Sequence, residues 1–248
     1  MINKKKIISI IPAFNEKGKI GGVVKSVPKD IVDCMLVVND GSTDSTYNEA
    51  VEAGALVISH EKHLGLGSAL RTGINYALEN SFDIITIMAG NGKDDGAEIP
   101  NLLNPIINEG YDYAQGSRYL DGGKIGGKMP LSRKFGTRLY PLLLKLTTGF
   151  PATDGTNGFR AYKTSIFDDK RIDINQKWLN GVSFEFYLHL KVLELGYKVK
   201  EVPVTKIYPQ QIAKFSYKDN KSYTKTRPII DWWRIMKPLI CLKLKIKK

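Results

Sequence analysis

Short apolar runs and longer amphipathic stretches alternate along the first half of the chain. The run "IISII" at 7–11 is β-rich and meets Pro12, so it reads as a buried strand. "CMLVVND" at 34–40, "ALVISH" at 55–60 and "FDIITIM" at 82–88 repeat that pattern, and "YDYAQGSRY" at 111–119 holds a fifth strand. Between them lie stretches that read as helices. "EKGKIGGVVKSV" has glycine-interrupted periodicity. "GSTDSTYNEAVEAG" offers Ser42 or Asp44 as a cap and Gly54 as a stop. "LGLGSALRTGINYALEN" is a glycine loop running into a helix, and "EIPNLLNPIINEG" is a further helix. Four or more strand–helix alternations by residue 115 predict an α/β fold, a mostly parallel sheet covered by helices on both faces.

The second half departs from that rhythm. "DGGKIGGKMPLSRKFG" is glycine-rich and basic and reads as a mobile loop. "RLYPLLLKLTTG" reads as a helix, "ATDGTNGFRAYKTSIF" as a turn-rich segment, "SFEFYLHLKVLELG" as a helix stopped by Gly196, and "KVKEVPV" as a short strand. From about Tyr208 the chain becomes irregular and basic.

Ligands of such sheets bind outside the carboxyl ends of the strands. Four polar motifs fall there: "PAFNE", "NDGS", "AGNGKDD" and "GSR". Asp40 can accept two hydrogen bonds from a ribose or a base edge beside a helix N-terminus. An Asx turn with a capping box uses the same residues. The glycines of "GLGSALRTG" follow the third strand instead of the first, which favours close helix packing over a dinucleotide loop. At the fourth strand end the acids Asp94 and Asp95 are adjacent, Asn91 can coordinate a cation through its oxygen, and Lys93 can meet phosphate directly. A polar turn in which Asp94 or Asp95 caps the next helix is the plainer alternative. Arg118 and Arg133 bracket the glycine-rich loop, and with Lys124, Lys128 and Lys134 they make a cationic lid suited to phosphate oxygens.

Composition narrows the partners. The chain has 248 residues, 42% hydrophobic and 25% charged, so it can bury a full core and is not disordered. A net charge of +12 points to an anionic surface or a phosphorylated substrate. No aromatic–basic RNA motif accompanies it, which excludes a nucleic-acid binder. Cys34 and Cys241 have no metal spacing and read as free thiols in a reducing compartment. The basic start "MINKKKIISI" is too short for a signal peptide, and no apolar run approaches a membrane span of ~18 residues.

Six motifs taken in order, "IPAFNE", "VVNDGSTDST", "HLGLGSALRTG", "GSRYLDGG", "TDGTNGFRAY" and "GYKVKEVPV", resemble the family 2 glycosyltransferases and, within them, the dolichyl-phosphate mannose synthase-like branch. The resemblance implies a GT-A (Rossmann-like) fold over residues 1–207. It implies transfer of a sugar, with inversion, from a nucleotide-sugar donor to a polyprenyl phosphate or a lipid-linked or surface-polysaccharide acceptor. Pro12, Ala13, Phe14, Glu16, Asn39, Asp40, Gly67, Arg71, Ala89, Gly90 and Asn91 fall where that family holds its donor. Arg118 and Arg133 fall where it holds the diphosphate or the acceptor phosphate. The family's acidic triplet aligns with Ala89-Gly90-Asn91, and a following Gln aligns with Lys93, so both metal carboxylates are missing. Asn91 with Asp94 or Asp95 then holds Mg²⁺ or Mn²⁺, or Lys93 replaces the metal, or the protein binds nucleotide sugars without transferring. Weak metal dependence is the expectation. A sugar-hydroxyl acceptor requires a carboxylate base, for which Asp154 and Glu185 are candidates; a phosphate acceptor does not.

The remaining segment, 208–248, has eleven Lys and Arg and two adjacent tryptophans. It reads either as membrane-interfacial or as a helix packed on the domain, with Pro238 breaking it. Together these readings predict a cytoplasmic protein held peripherally on the anionic inner face of a membrane, and they leave room for a homo-oligomer.

Overall fold

The computed structural model describes residues 5–208 and 228–243. Its parallel strands are β1 (Ile7–Ala13), β2 (Cys34–Asn39), β3 (Leu56–Ser59), β4 (Ile84–Ile87), β5 (Tyr113–Ser117) and β8 (Val199–Pro203). A seventh strand, β7 (Arg160–Lys163), lies antiparallel between β4 and β5, giving the order β3-β2-β1-β4-β7-β5-β8. Strand β1 does not stop at Pro12: Pro12 and Ala13 still pair with Val38 and Asn39. A parallel pair, β6 (Lys124–Gly127) with β9 (Thr205–Tyr208), forms a second sheet.

Alternation along the buried strands divides the core into two layers. Ile8 and Ile10 of β1, Leu36 and Val38 of β2, and Ile85 and Ile87 of β4 face one layer. That layer is completed by α3 (Leu66–Glu79), α5 (Leu131–Thr148), α6 (Ser183–Glu194) and α7 (Pro228–Lys243). Ile7 and Ile11, Val37, and Ile84 and Met88 face the other, against α1 (Ile20–Ser26), α2 (Thr46–Glu52) and α4 (Ile99–Asn108). Gly73 of α3 explains one glycine of the third motif. A Cβ there would stand 2.5 Å from Ile10, so the helix could not lie as close to β1.

Three expectations are corrected. The glycine-rich basic stretch is not a loop throughout: it supplies β6, and its "PLSRKFG" end enters α5, which starts at Leu131. The turn-rich segment contains β7, whose Arg160 is fully buried and donates to the carbonyls of Asn157, Gly155 and Glu185. Pro238 sits inside α7 without ending it, and that helix returns to the domain. Leu239 and Leu242 join the core, and Ser183 donates to the Arg234 carbonyl. The basic stretches 209–227 and 244–248 lie outside the described residues. Among the described residues no helix is long and apolar enough to cross a membrane, and both cysteines are free thiols.

Candidate donor and acceptor site

The carboxyl ends of β1, β2, β4 and β5 share one edge of the sheet, and the four polar motifs meet there. On the β1–β2 side, two loops are laced together. Asn15 Oδ1 accepts from Thr43 N, Ser42 Oγ accepts from Asn15 N, and Thr46 Oγ1 accepts from Glu16 N. Asn15 sits at φ 52°, a left-handed turn that asparagine tolerates. Asn39 bonds Ser42 N through its oxygen and Ser59 through its amide nitrogen.

Asp40 is nearly filled by its own protein. Oδ1 accepts from His60 Nδ1 at 2.7 Å and Leu64 N at 2.9 Å; Oδ2 accepts from Gly65 N at 2.8 Å and lies 2.7 Å from His63 Nδ1, which also reaches the Asp40 carbonyl. Burial pushes its carboxyl up, but His60, the two amides and the His63 charge outweigh that and hold it below the usual aspartate range. His60 is fixed from behind by Thr72. His63 is half-exposed and stacks on Phe14, with ring centroids 3.9 Å apart. One aromatic face and one carboxylate oxygen are therefore covered by a single exposed imidazole.

Gly67 and Arg71 do not point to the same place. Gly67 packs on the backbone of Leu179 and Asn180, where a Cβ would meet Leu179 O at 1.8 Å. Arg71 clamps the same segment through Ile174 O and Asn180 Oδ1. Both hold the 174–181 loop against α3.

The β4 side is arranged differently. Asn91 Oδ1 accepts from Lys93 N, Asp95 accepts from Ala97 N, and Asp94 pairs with Lys206 Nζ at 2.5 Å. Gly90 is packed so tightly that a Cβ would lie 3.0–3.1 Å from Ile20, Ala13 and Pro12, and Ala89 beside it carries no donor atom. The three sequence-predicted metal residues thus face separate partners. Among the described residues no group of three His, Cys, Asp or Glu is placed so that it could hold a metal ion. A divalent ion does not fit this donor set, which is dominated by cations.

Those cations surround one ring. Lys93 Nζ lies 5.6 Å and the Arg133 guanidinium 5.9 Å from the Tyr208 ring centroid. Lys93 is only 4% exposed. Burial first, then the nearby Arg133 and Lys206 charges, push its amine down to about 8, against weaker support from Glu16 and Asp94. Glu16 is itself bonded to Lys19.

Arg118 is not part of a solvent-facing lid. It makes a two-pronged contact with Asp154, Nε–Oδ2 at 2.6 Å and Nη2–Oδ1 at 2.7 Å, and donates to Tyr208 Oη and Thr156 Oγ1. Asp154 also accepts from the amides of Arg118 and Thr156, so both its oxygens are occupied. Glu201 holds the same turn by accepting from Thr153 and Asp154 N. Lys124, Lys128 and Lys134 are exposed. The other base candidate, Glu185, lies beside Gly158, and burial raises its carboxyl against the pull of Arg160 and Lys206.

Sequence reasoning missed Lys206 and Tyr208. Both lie on β9, which reaches the site because β9 pairs with β6 and Ile207 N donates to Lys93 O. Their burial, with Ile207 between them exposed, follows from that pairing and left no signal in the sequence.

Comparison with known proteins follows the same lines. The model of the Glycosyl transferase family 2 matches residues 9–170. A UDP-N-acetylglucosamine–dolichyl-phosphate N-acetylglucosaminyltransferase of Methanococcus voltae is 30% identical over 224 residues, 83% of this chain and 87% of that protein. An undecaprenyl-phosphate mannosyltransferase of Micrococcus luteus is 30% identical over 209 residues, 81% of this chain and 83% of that protein. A crystal structure of glucosyl-3-phosphoglycerate synthase from Mycobacterium tuberculosis, in complex with Mg²⁺ and uridine diphosphate, superposes with a TM-score of 0.69 at 19% identity. It covers 98% of this chain and 79% of that one, and shares the fold. By family model and by relatives alike, the chain belongs to glycosyl transferase family 2.

Proposed function

We propose that this glycosyltransferase moves a sugar from a nucleoside-diphosphate sugar to a polyprenyl phosphate, and that Lys93, Arg133 and Lys206 take up the diphosphate charge that a metal ion neutralises elsewhere. The observation that carries this reading is the placing of Lys93: a buried amine beside Tyr208 with Arg133 at the same ring, pushed down to about 8 first by burial and then by the Arg133 and Lys206 charges. Like charges gathered in this way favour a bound anion, and a diphosphate supplies one. The two relatives named for dolichyl- and undecaprenyl-phosphate acceptors support the acceptor class.

The base end is read at Phe14 and Asp40. The nucleobase displaces His63, stacks on Phe14 and donates an N–H to the freed Asp40 Oδ2. Asn39, bonded to Ser42 and Ser59, shapes the ribose pocket beside it.

In the transfer step an ionised phosphate oxygen of the acceptor attacks the anomeric carbon. The bond from that carbon to the β-phosphate oxygen breaks, and the nucleoside diphosphate leaves with the electron pair and the negative charge. Lys93 and Arg133 stabilise that developing charge. No proton need be removed from the nucleophile. This suits a site in which Arg118 occupies Asp154 completely and burial weakens Glu185 as an anion. Arg118 and Asp154 are positioning residues that fix Tyr208 beneath the cations.

A transfer assay with UDP-, GDP-, CDP- and dTDP-sugars and a short-chain polyprenyl phosphate tests the reading. One donor should give glycosyl phospholipid with inverted configuration. Binding of donors without transfer to any phosphate acceptor would contradict it.

A further inference from the structure

Helix α5 exposes a row of large apolar side chains that nothing among the described residues covers: Leu131 (82% exposed), Phe135 (71%), Leu139, Leu142 and Leu146 (74%). At ~100° per residue these five positions fall within an arc of about 80° of the helix. Lys134, Arg138 and Lys145 fall in the adjoining arc of about 40° on the same geometry, and all three are exposed. Tyr140 and Leu144, on the far side, are fully buried in the core. The helix contains no acidic residue from Leu131 to Thr148. It is a three-sided helix: one side anchors it to the domain, one is apolar and one is cationic.

We propose that α5 docks the enzyme on an anionic bilayer, with the leucine–phenylalanine row sunk at the level of the acyl chains and the basic rail against phosphate headgroups. The proposal rests on the reading above only in that it explains how a lipid acceptor is met. Charge decides the occupant. In a symmetric contact with a second copy, the rail of one helix would face the rail of the other, with no carboxylate on either to offset it. An anionic lipid surface complements both sides at once. The position is also apt. A groove of about 450 Å³ runs from Leu142, Arg138 and Lys145 to Tyr119 and Thr153. Thr153 precedes Asp154, the partner of Arg118, and Tyr119 is bonded to Thr137 of α5. A headgroup presented at the α5 face is thereby close to the Arg118–Tyr208 end of the site.

Co-sedimentation of the full chain with phosphatidylcholine vesicles, with and without phosphatidylglycerol, tests this. The wild-type protein should bind the anionic vesicles, and the triple variant L131E/F135E/L146E should bind at least about tenfold more weakly. The three side chains are largely exposed, so the variant should melt and bind nucleoside diphosphate like the wild type. R138Q/K145Q should lose the preference for anionic over neutral vesicles. Undiminished vesicle binding by the triple variant would overturn the proposal. So would a wild-type dimer that ignores vesicles and that L131E/F135E/L146E converts to monomer. Transfer to a short-chain, water-soluble polyprenyl phosphate reports separately on the chemistry. It should survive in the triple variant, and its absence in the wild type would count against the proposed function alone.

Discussion

The two sides of the cleft treat charge in opposite ways. On the β1–β2 side the Asp40 carboxylate accepts three hydrogen bonds and lies against the His63 imidazole. On the β4 side three cations are brought close together. Lys206 pairs with Asp94, Lys93 and Arg133 lie by the ring of Tyr208, and burial first, then the neighbouring charges, weaken the hold of Lys93 on its proton. A saturated carboxylate can be fully formed in the empty protein and still recognise a ligand, provided one of its partners is exposed and exchangeable, as His63 is. A crowded set of cations is costly until an anion arrives. The first arrangement suits selection among neutral bases, the second suits holding a diphosphate.

Four substitutions probe that contrast. The largest effect is expected for Asp154→Ala, which strands the buried Arg118 guanidinium. It should cost about 3–5 kcal/mol of stability by denaturant unfolding. A loss under 1 kcal/mol would mean that the Arg118–Asp154 pair does not anchor the site. Lys93→Met should behave in the opposite sense for the fold. Removing a desolvated, repelled amine should stabilise the protein by on the order of 1–3 kcal/mol near neutral pH while lowering turnover about 10²–10³-fold. Equal loss of stability and turnover would put Lys93 in a purely structural role.

The same residue sets a pH dependence. In the folded protein Lys93 holds its proton below about 8 and releases it above, whereas an unfolded lysine holds it to about 10.5. Stability should therefore gain as pH rises between those values, because there the unfolded chain binds the extra proton. Donor affinity should move the other way, weakening as pH passes about 8, and isothermal titration in buffers of different ionisation enthalpy should show proton uptake. Lys93→Met should flatten both trends.

Asn91→Asp tests the missing carboxylate. It should increase stimulation by Mn²⁺ about tenfold, on the scale of a single charge added to a metal site. If EDTA abolished wild-type turnover and this variant changed nothing, the substitution of Lys93 for a metal would be untenable. The smallest effect is at His63. Its removal uncovers Phe14 and Asp40, so His63→Ala should tighten donor binding about threefold by relieving a competing closed state. Weaker binding would instead make His63 a direct contact of the donor.

The sheet was legible because buried parallel strands are plain apolar runs, and 7–11, 34–40 and 82–88 fall on β1, β2 and β4. Strand β7 was not, because four residues carrying Arg160 and Lys163, between the Asn157-Gly158 turn and the short turn that starts at Thr164, have no apolar signature. Arg160 is buried only because three carbonyls converge on it, which is a tertiary fact. The same limit applies to the site. Residues 12–16, 39–40 and 91–95 were found because they lie at or just beyond the carboxyl ends of β1, β2 and β4. Lys206 and Tyr208 arrive through the β6–β9 pairing, between segments some eighty residues apart. Asp154 is a candidate base in the sequence because no sequence pattern tells which guanidinium will occupy it. The apolar row of α5 was hidden by its start, since "PLSRKFG" reads as loop until Leu131 and Phe135 are seen on the face of Leu142 and Leu146.

The central claim is that cations of the chain, in place of a chelated ion, hold the donor's diphosphate. Calorimetric titration of the wild-type protein with its nucleoside diphosphate, in EDTA and again in Mn²⁺, tests it most directly. The account predicts binding in EDTA, with an affinity within about tenfold of that in Mn²⁺, and loss of that binding in Lys93→Met. Binding that vanishes in EDTA, returns with Mn²⁺ and survives in Lys93→Met would contradict it.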